Sequence, residues 1–429
     1  MSSSPPRRFL TRVRNATQLV AVCARGEQVK CGTEAMNDVH VIQNGTLVIG
    51  LDGTIADVGS ADELALKYAD AAFEHDIDAA GKSVLPGLCD GHTHPVFAGD
   101  RCNEFKMKLA GATYMEVHAA GGGIHFTVRH TRAASEDGLL RLLVERLRRM
   151  ARFGTTLLEA KSGYGLDMET EIKMLRVLHR ARDEHPIEIV ANYCGAHSVP
   201  QGSTAAAATA AIVGEYLPRI VELKARGEIN PEFIDVFCEK GVFEAADSRT
   251  IMEAGAKAGL HINFHGDELN YTGSAEMGAA LGACAISHLE CISDAGIEAM
   301  AAAGTVATLL PTTAYVLRIH PPPARRLIDA GVPVALGTDF NPNAHCVSMP
   351  HAMNLACVLM RMTVNEALVA ATINAAASLR RGATHGSLEV GKVGDFVLLN
   401  AAPWEHIVYE MCDPPIEAVY KRGQPMYRA

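Results

Sequence analysis

Between about residues 86 and 340 the chain repeats one pattern eight times: a short apolar stretch, followed in most repeats by a segment suited to a helix. The stretches are "SVLPGLCDGHTH", "TTLLEAKSGYG", "IEIVANYCGAHS", "FIDVFCEKGVF", "LHINFHGDE", "CAISHLE", "GTVATLLPTT" and "VPVALGTDFNP". Between them lie segments such as "SEDGLLRLLVERLRRMARFG", with Ser135 placed to cap the start and Gly154 after the last turn. In "METEIKMLRVLHRARDEH", Ile172, Leu175 and Leu178 recur at helical spacing. Such βα alternation favours a parallel sheet, and eight units make a (β/α)8 TIM barrel. The flanks differ. "DVHVIQNGTLVIGLDGTIADVGS" carries hairpin signals at Asn44-Gly45 and Asp52-Gly53, and "GSLEVGKVGDFVLLN" near the other end also reads as short strands. The expected fold is therefore α/β: a barrel over residues 86–381, with a small β-sandwich built from residues 1–85 and 382–429. A chain of 429 residues holds both.

A barrel of this kind carries its chemistry at the C-terminal ends of the strands. Those ends here are His92 and His94, Tyr164, His197, Glu239 and Lys240, His265, His288, Thr312 and Thr313, and Asp339. Residues i and i+2 on a strand point to one side, so His92 and His94 can present two imidazoles to one point. With His265 and Asp339 they make three nitrogens and one carboxylate oxygen, a set suited to Zn2+ or Fe2+ rather than Mg2+ or Ca2+. One such ion per chain is expected. The lone histidines His179 and His385 read as surface or capping residues.

A formal charge of −10 argues against nucleic acid or an anionic membrane as partner. The eleven cysteines show no CxxC pair, which suits reduced thiols in a cytoplasmic protein. No apolar run reaches the length of a membrane span. Arg7, Arg8, Arg12 and Arg14 near the start have the composition of a targeting segment, but without a helical period they read as a short basic tail before a first strand at "TQLVAVCA". "AAGGGIHFTVRHTR" lacks the ending of a phosphate loop and reads as a loop over the barrel mouth.

Taken with His265, His288 and Asp339, "PGLCDGHTH" resembles the amidohydrolase superfamily of metal-dependent hydrolases. The stretches "GHTHPVFAGDR", "KSGYGL", "GAHSVP", "DVFCE", "HGDEL", "SHLE" and "GTDFNP" resemble, in order, the branch that opens the imidazolone ring of 4-imidazolone-5-propanoate to give N-formimidoyl-L-glutamate. The likeness runs from about Val41 to the end. It implies a metal on His92, His94, His265 and Asp339, a homodimer, and a substrate held by Arg101, Tyr164, His197, Glu268, Asn341, Asn343 and Ala344. Arg101 suits the propionate, because a guanidinium grips a carboxylate with two prongs. Glu268 suits proton delivery to the leaving nitrogen; either Asp339 or His288 could take the proton from the attacking water. The branch commonly has a hydroxyl residue where Ala344 stands, so a role there would fall to the backbone amide. Lys240 lies near the place where two-metal relatives carry a bridging lysine, and is expected in the loop instead. A purine or pyrimidine deaminase would use the same ligands with Glu268 and His288 but has no carboxylate for Arg101. A barrel that had lost catalysis should also have lost ligands.

Overall fold

The computed structural model describes residues 7–111 and 122–429. Its centre is an eight-stranded parallel sheet running β6 (Leu88–Asp90), β7 (Thr155–Lys161), β8 (Glu188–Ala196), β9 (Pro231–Cys238), β10 (His261–Gly266), β11 (Ala285–His288), β12 (Val306–Leu309) and β13 (Val334–Leu336). Each expected stretch supplies one strand of this sheet. The sheet closes into a barrel just past the ends of β6 and β13, where Asp339 N donates to His92 O (3.0 Å) and His94 N to Phe340 O (2.8 Å). Buried Asp90 reinforces the closure by accepting from Thr338 N (2.9 Å) and Thr338 Oγ1 (2.6 Å). Closing the barrel there sets three candidate ligands side by side.

The helices form where the periodicity placed them. In Glu136–Arg152, Ser135 accepts from Gly138 N at 3.1 Å, and Leu139, Leu143, Leu147 and Met150 face inward at near-zero exposure. Gly154 follows with φ 89°, a left-handed position that a side chain would strain. Met168–Glu184 is capped by Asp167, which accepts from Thr170 N at 2.8 Å.

Side chains inside the barrel change character from floor to mouth. Cys89, Leu157, Val190, Phe233, Ala285, Val306 and Ala335 form an apolar layer covered by Ala375, Ala376 and Leu379. Two residues further along the same strands, and so on the same face, come Glu159, Asn192, Asp235 and Ser287, all buried.

The second sheet joins both ends of the chain. Its order is β16 (Gln424–Arg428), β15 (Ile416–Lys421), β14 (Phe396–Leu399), β5 (Ser83–Pro86), β1 (Arg8–Val22), β2 (His40–Ile49) and β3 (Ile55–Ser60), with β4 (Ala72–Asp78) also pairing with β1. Val13, Leu19, Leu47, Ile49, Val84, Phe396 and Leu398 give it a core of its own.

Four expectations need correction. "SVLPGLCDGHTH" is two strands: β5 joins the mixed sheet and β6 the barrel. At Gly87 between them, a Cβ would stand 2.2 Å from Thr156 Oγ1, so the crossing requires glycine. The basic segment is no tail, because β1 begins at Arg8. Alternate arginines meet the acids of β4, with Arg12 to Asp76 at 2.5 Å and Arg14 to Asp78 at 2.9 Å. His385 is buried, with Nε2 3.1 Å from Glu188. Nor is the stretch 119–132 the expected loop: residues 119–121 lie outside the described residues, and Ile124–Ala133 is helix. Among the described residues no helix is long and apolar enough to cross a membrane.

Candidate metal centre

His92 and His94 lie just beyond β6 rather than within it, yet their Nε2 atoms sit 3.2 Å apart. His265, near the end of β10, brings its Nε2 to 3.1 Å from that of His94. Asp339 Oδ1 stands 3.5 Å from His92 Nε2 and 3.8 Å from His94 Nε2. Burial holds all three imidazoles below their usual range, hence neutral with a free lone pair. If all three turn the lone pair of Nε2 inward, the nitrogens repel one another unless something positive lies between them. For bonds of about 2.0–2.1 Å, ligand atoms on a tetrahedral ion would be about 3.3 Å apart. The residues present therefore fit a divalent ion.

Three of the four candidate ligands are steadied from behind. His92 Nδ1 meets Ser287 Oγ at 2.8 Å, and His265 Nδ1 meets Asp235 Oδ1 at 2.7 Å. Thr313 Oγ1 donates to Asp339 Oδ2. Burial would raise Asp339, but His288, His94 and Thr313 outweigh it and keep the carboxyl below its usual range. Asp339 (φ 46°) and His288 (φ 78°) both hold left-handed backbone, at a cost of about 1–3 kcal/mol each.

Beside the cluster stands a second titratable pair. His288 Nε2 is 3.5 Å from Glu268 Oε2, and its Nδ1 is 3.7 Å from Glu290 Oε2. Burial pulls His288 down, but the two carboxylates more than reverse this and favour imidazolium. Burial raises Glu268, against the pull of His288. Glu268 is not a helix cap, since the next helix begins at Ser274 and its start is held by Asp267, which accepts from Ala275 N at 3.1 Å. Glu239 instead pins the Glu268 loop, accepting from Leu269 N at 2.9 Å and Asn270 Nδ2 at 2.9 Å.

His197 stacks on His94, with centroids 4.6 Å apart and planes 13° apart. Burial lowers its pKa to about 3, and its Nδ1 donates to Gly163 O at 3.1 Å, leaving Nε2 as an acceptor. Tyr164 is buried with its ring 5.9 Å from that of His94. Arg101 lies against buried Glu104, with Nε 2.7 Å from Oε2 and Nη2 on Oε1. Lys108, which the sequence did not single out, joins Glu104 at 2.7 Å and Asn343 Oδ1 at 2.7 Å.

The loop after β13 departs from expectation. Asn341 Oδ1 accepts from Asn343 N (2.7 Å) and Ala344 N (3.0 Å), and its Nδ2 donates to Asp339 O (2.8 Å). Its amide thus builds the turn that holds Asp339. The Ala344 N–H is spent on that turn and the residue is buried, so the backbone contact expected there has no free donor. Lys240 is exposed and contributes nothing to the cluster. Sequence reasoning also missed Asp235, Ser287 and Glu290, and placed Thr313 at a strand end without giving it a role. For Asp235 the hint was an acid in the middle of the apolar stretch "FIDVF".

A (β/α)8 barrel with three imidazoles and a carboxylate converging at its mouth defines the metal-dependent amidohydrolase class, and residues 234–426 match the model of the Amidohydrolase family. Solved structures share the fold: an adenosine deaminase from Xanthomonas campestris with bound zinc (TM-score 0.73, 17% identity, 98% of this chain and 93% of that one) and Escherichia coli guanine deaminase (0.70, 15%, 98% and 99%). Far closer in sequence are proteins named "probable imidazolonepropionase". They include those of Danio rerio (59% identical over 94% of this chain and 93% of the relative), Homo sapiens (56%, 97% and 98%) and Dictyostelium discoideum (57%, 98% and 98%). The chain belongs to the imidazolonepropionase family of amidohydrolases.

Proposed function

We propose that this chain hydrolyses 4-imidazolone-5-propanoate to N-formimidoyl-L-glutamate, the ring-opening step of histidine degradation. The observation that carries the reading is the convergence of His92, His94, His265 and Asp339 beside the Glu268–His288 pair, in a chain that matches imidazolonepropionase relatives nearly end to end. When bound to those four residues, a divalent ion, Zn2+ or Fe2+, lowers the pKa of a water toward neutrality and polarises a carbonyl.

The side chains divide the remaining work. Water adds to the carbonyl carbon of the cyclic amide, and the carbon–nitrogen bond breaks as the nitrogen takes a proton. Glu268, poised by burial between its two protonation states, carries that proton to the nitrogen. Asp339 receives the proton from the attacking water; His288, held as imidazolium by Glu268 and Glu290, stabilises the negative oxygen that forms on the carbon. His197, with only an acceptor free, takes a ring N–H rather than the carbonyl end.

Arg101 and Tyr164 hold the propionate. Two of the five guanidinium N–H donors serve Glu104, leaving three for substrate. Asn343, fixed by Lys108, flanks the same side of the mouth, and Asn341 acts by shaping the loop. We place the enzyme in the cytoplasm as a homodimer, supported by the family likeness and by eleven unpaired cysteines. Incubating the purified protein with freshly made substrate and identifying N-formimidoyl-L-glutamate by mass spectrometry tests the reading. Ammonia released from a purine or pyrimidine base, with no ring opening of imidazolone propionate, would replace it with deamination.

A further inference from the structure

A lysine lies beneath the metal ligands, inside the barrel, where the chemistry above gives it no task. Lys161, the last residue of β7, is fully buried, with Nζ 2.5 Å from Asp235 Oδ2 and 2.6 Å from Glu159 Oε2. Asp235 is the residue whose other oxygen meets His265 Nδ1. Glu159 Oε1 accepts from Asn192 Nδ2 at 2.9 Å and Asn263 Nδ2 at 3.2 Å, and Asn263 also donates to Ser378 O at 3.0 Å. A continuous polar chain thus runs from the barrel floor to a metal ligand.

Burying an ammonium and two carboxylates is costly, and apolar side chains of similar size would pack the same space without that cost. What the ammonium adds is direction. It can only donate, so both carboxylates must accept from it. Asp235, bound to a cation at Oδ2, is thereby kept as an acceptor at Oδ1, and the proton between Asp235 and His265 belongs to Nδ1. An imidazole with hydrogen on Nδ1 has its lone pair on Nε2, the atom facing His94. The other two ligand imidazoles lack such a device. Ser287 behind His92 can donate or accept, and His94 Nδ1 has no hydrogen-bond partner among the described residues.

We propose that Lys161 is a positioning residue for the metal, fixing through Asp235 the tautomer and ring orientation in which His265 offers Nε2 to the ion. The inference rests on the four-residue metal reading above. Cys194 also lies within ligand distance of Asp235 and His265, but Lys161 already occupies that carboxylate, so the trio serves the site at the mouth.

The test strips the full-length protein of metal and titrates it with Zn2+ against a chromophoric chelator, then with Co2+ to read the visible ligand-field spectrum. Lys161→Met and Asp235→Asn should each weaken Zn2+ binding about 10–100-fold and shift the Co2+ bands. Because Lys161 acts through Asp235, the double variant should lose no more than the worse single one. Should Lys161→Met fail to fold by circular dichroism, Glu159→Gln/Lys161→Met removes one charge of each sign and carries the same expectation. Wild-type Zn2+ affinity with an unshifted Co2+ spectrum in the folded variant, or fully additive losses, overturns the proposal. If instead the wild type takes up no Zn2+ that His94→Ala abolishes, the metal reading itself fails.

Discussion

Replacing Arg101 separates two jobs that the structure gives one side chain. Its guanidinium spends two donors on Glu104 and, in the proposed complex, two of the remaining three on the substrate propionate. Hydrogen bonds to charged groups contribute about 1.5–3 kcal/mol each. Solvent and Lys108 recover part of the loss, so Arg101→Met should forfeit about 3 kcal/mol of substrate binding, roughly a 100-fold fall in kcat/KM at about 1.4 kcal/mol per tenfold. The fall should appear mainly in KM, because the propionate is remote from the breaking bond. The same change strips Glu104 of two hydrogen bonds and leaves it Lys108 and Gly123 N, 2.7 and 2.8 Å away. A buried carboxylate so exposed to loss should cost about 1–3 kcal/mol of stability. Adding Glu104→Gln removes the orphaned charge. Arg101→Met/Glu104→Gln should therefore regain most of the lost Tm while kcat/KM stays about 100-fold down. Steady-state loss of the ultraviolet absorbance of imidazolone propionate and a thermal melt read the two effects apart. A folded double variant within about threefold of wild-type kcat/KM would refute propionate binding by Arg101 and leave only the ion pair.

Glu268→Gln should keep its metal and lower kcat by about 10²–10⁴-fold, the usual worth of a placed proton carrier; unchanged kcat with unchanged metal content removes Glu268 from the mechanism. Tyr164→Phe should raise KM by about tenfold if its hydroxyl reaches the propionate, and leave KM unaltered if the ring only packs. Acid should destabilise the fold through Glu188, where burial raises the carboxyl but His385, Lys421 and Arg381 outweigh it and hold it well below its usual range. A depressed carboxyl stabilises the fold above its unfolded pKa of about 4.3 and loses that contribution as pH falls. Tm measured from pH 6 down to pH 3 should drop less steeply in Glu188→Gln than in the wild type, and equal slopes would assign the acid sensitivity elsewhere.

The barrel was legible because each strand is buried on both faces and stands out as an apolar run between helices. Its candidate ligands were legible because strand ends are where such a fold exposes chemistry, so His265 and Asp339 could be placed without knowing their partners. The strip behind them was not. Lys161, Glu159 and Asp235 come from two strands more than 70 residues apart in sequence, and each taken alone looks like ordinary alternation. Lys240 drew attention that Lys161 did not, since a lysine two residues past a strand can turn to solvent while one within the strand cannot. Strand β1 was hidden for a related reason: alternating arginines are unfavourable in a strand until the acids of β4 stand opposite, some 64 residues later. In the Asn341 loop, the side chain that looked free for substrate folds back on its own backbone, as asparagine readily does in turns.

Metal content measured together with turnover tests the central claim most directly. The purified protein should hold one Zn2+ or Fe2+ per chain, and chelation should abolish, and readdition restore, its consumption of imidazolone propionate. Rapid turnover by protein free of metal, or one metal per chain with no turnover, would contradict it.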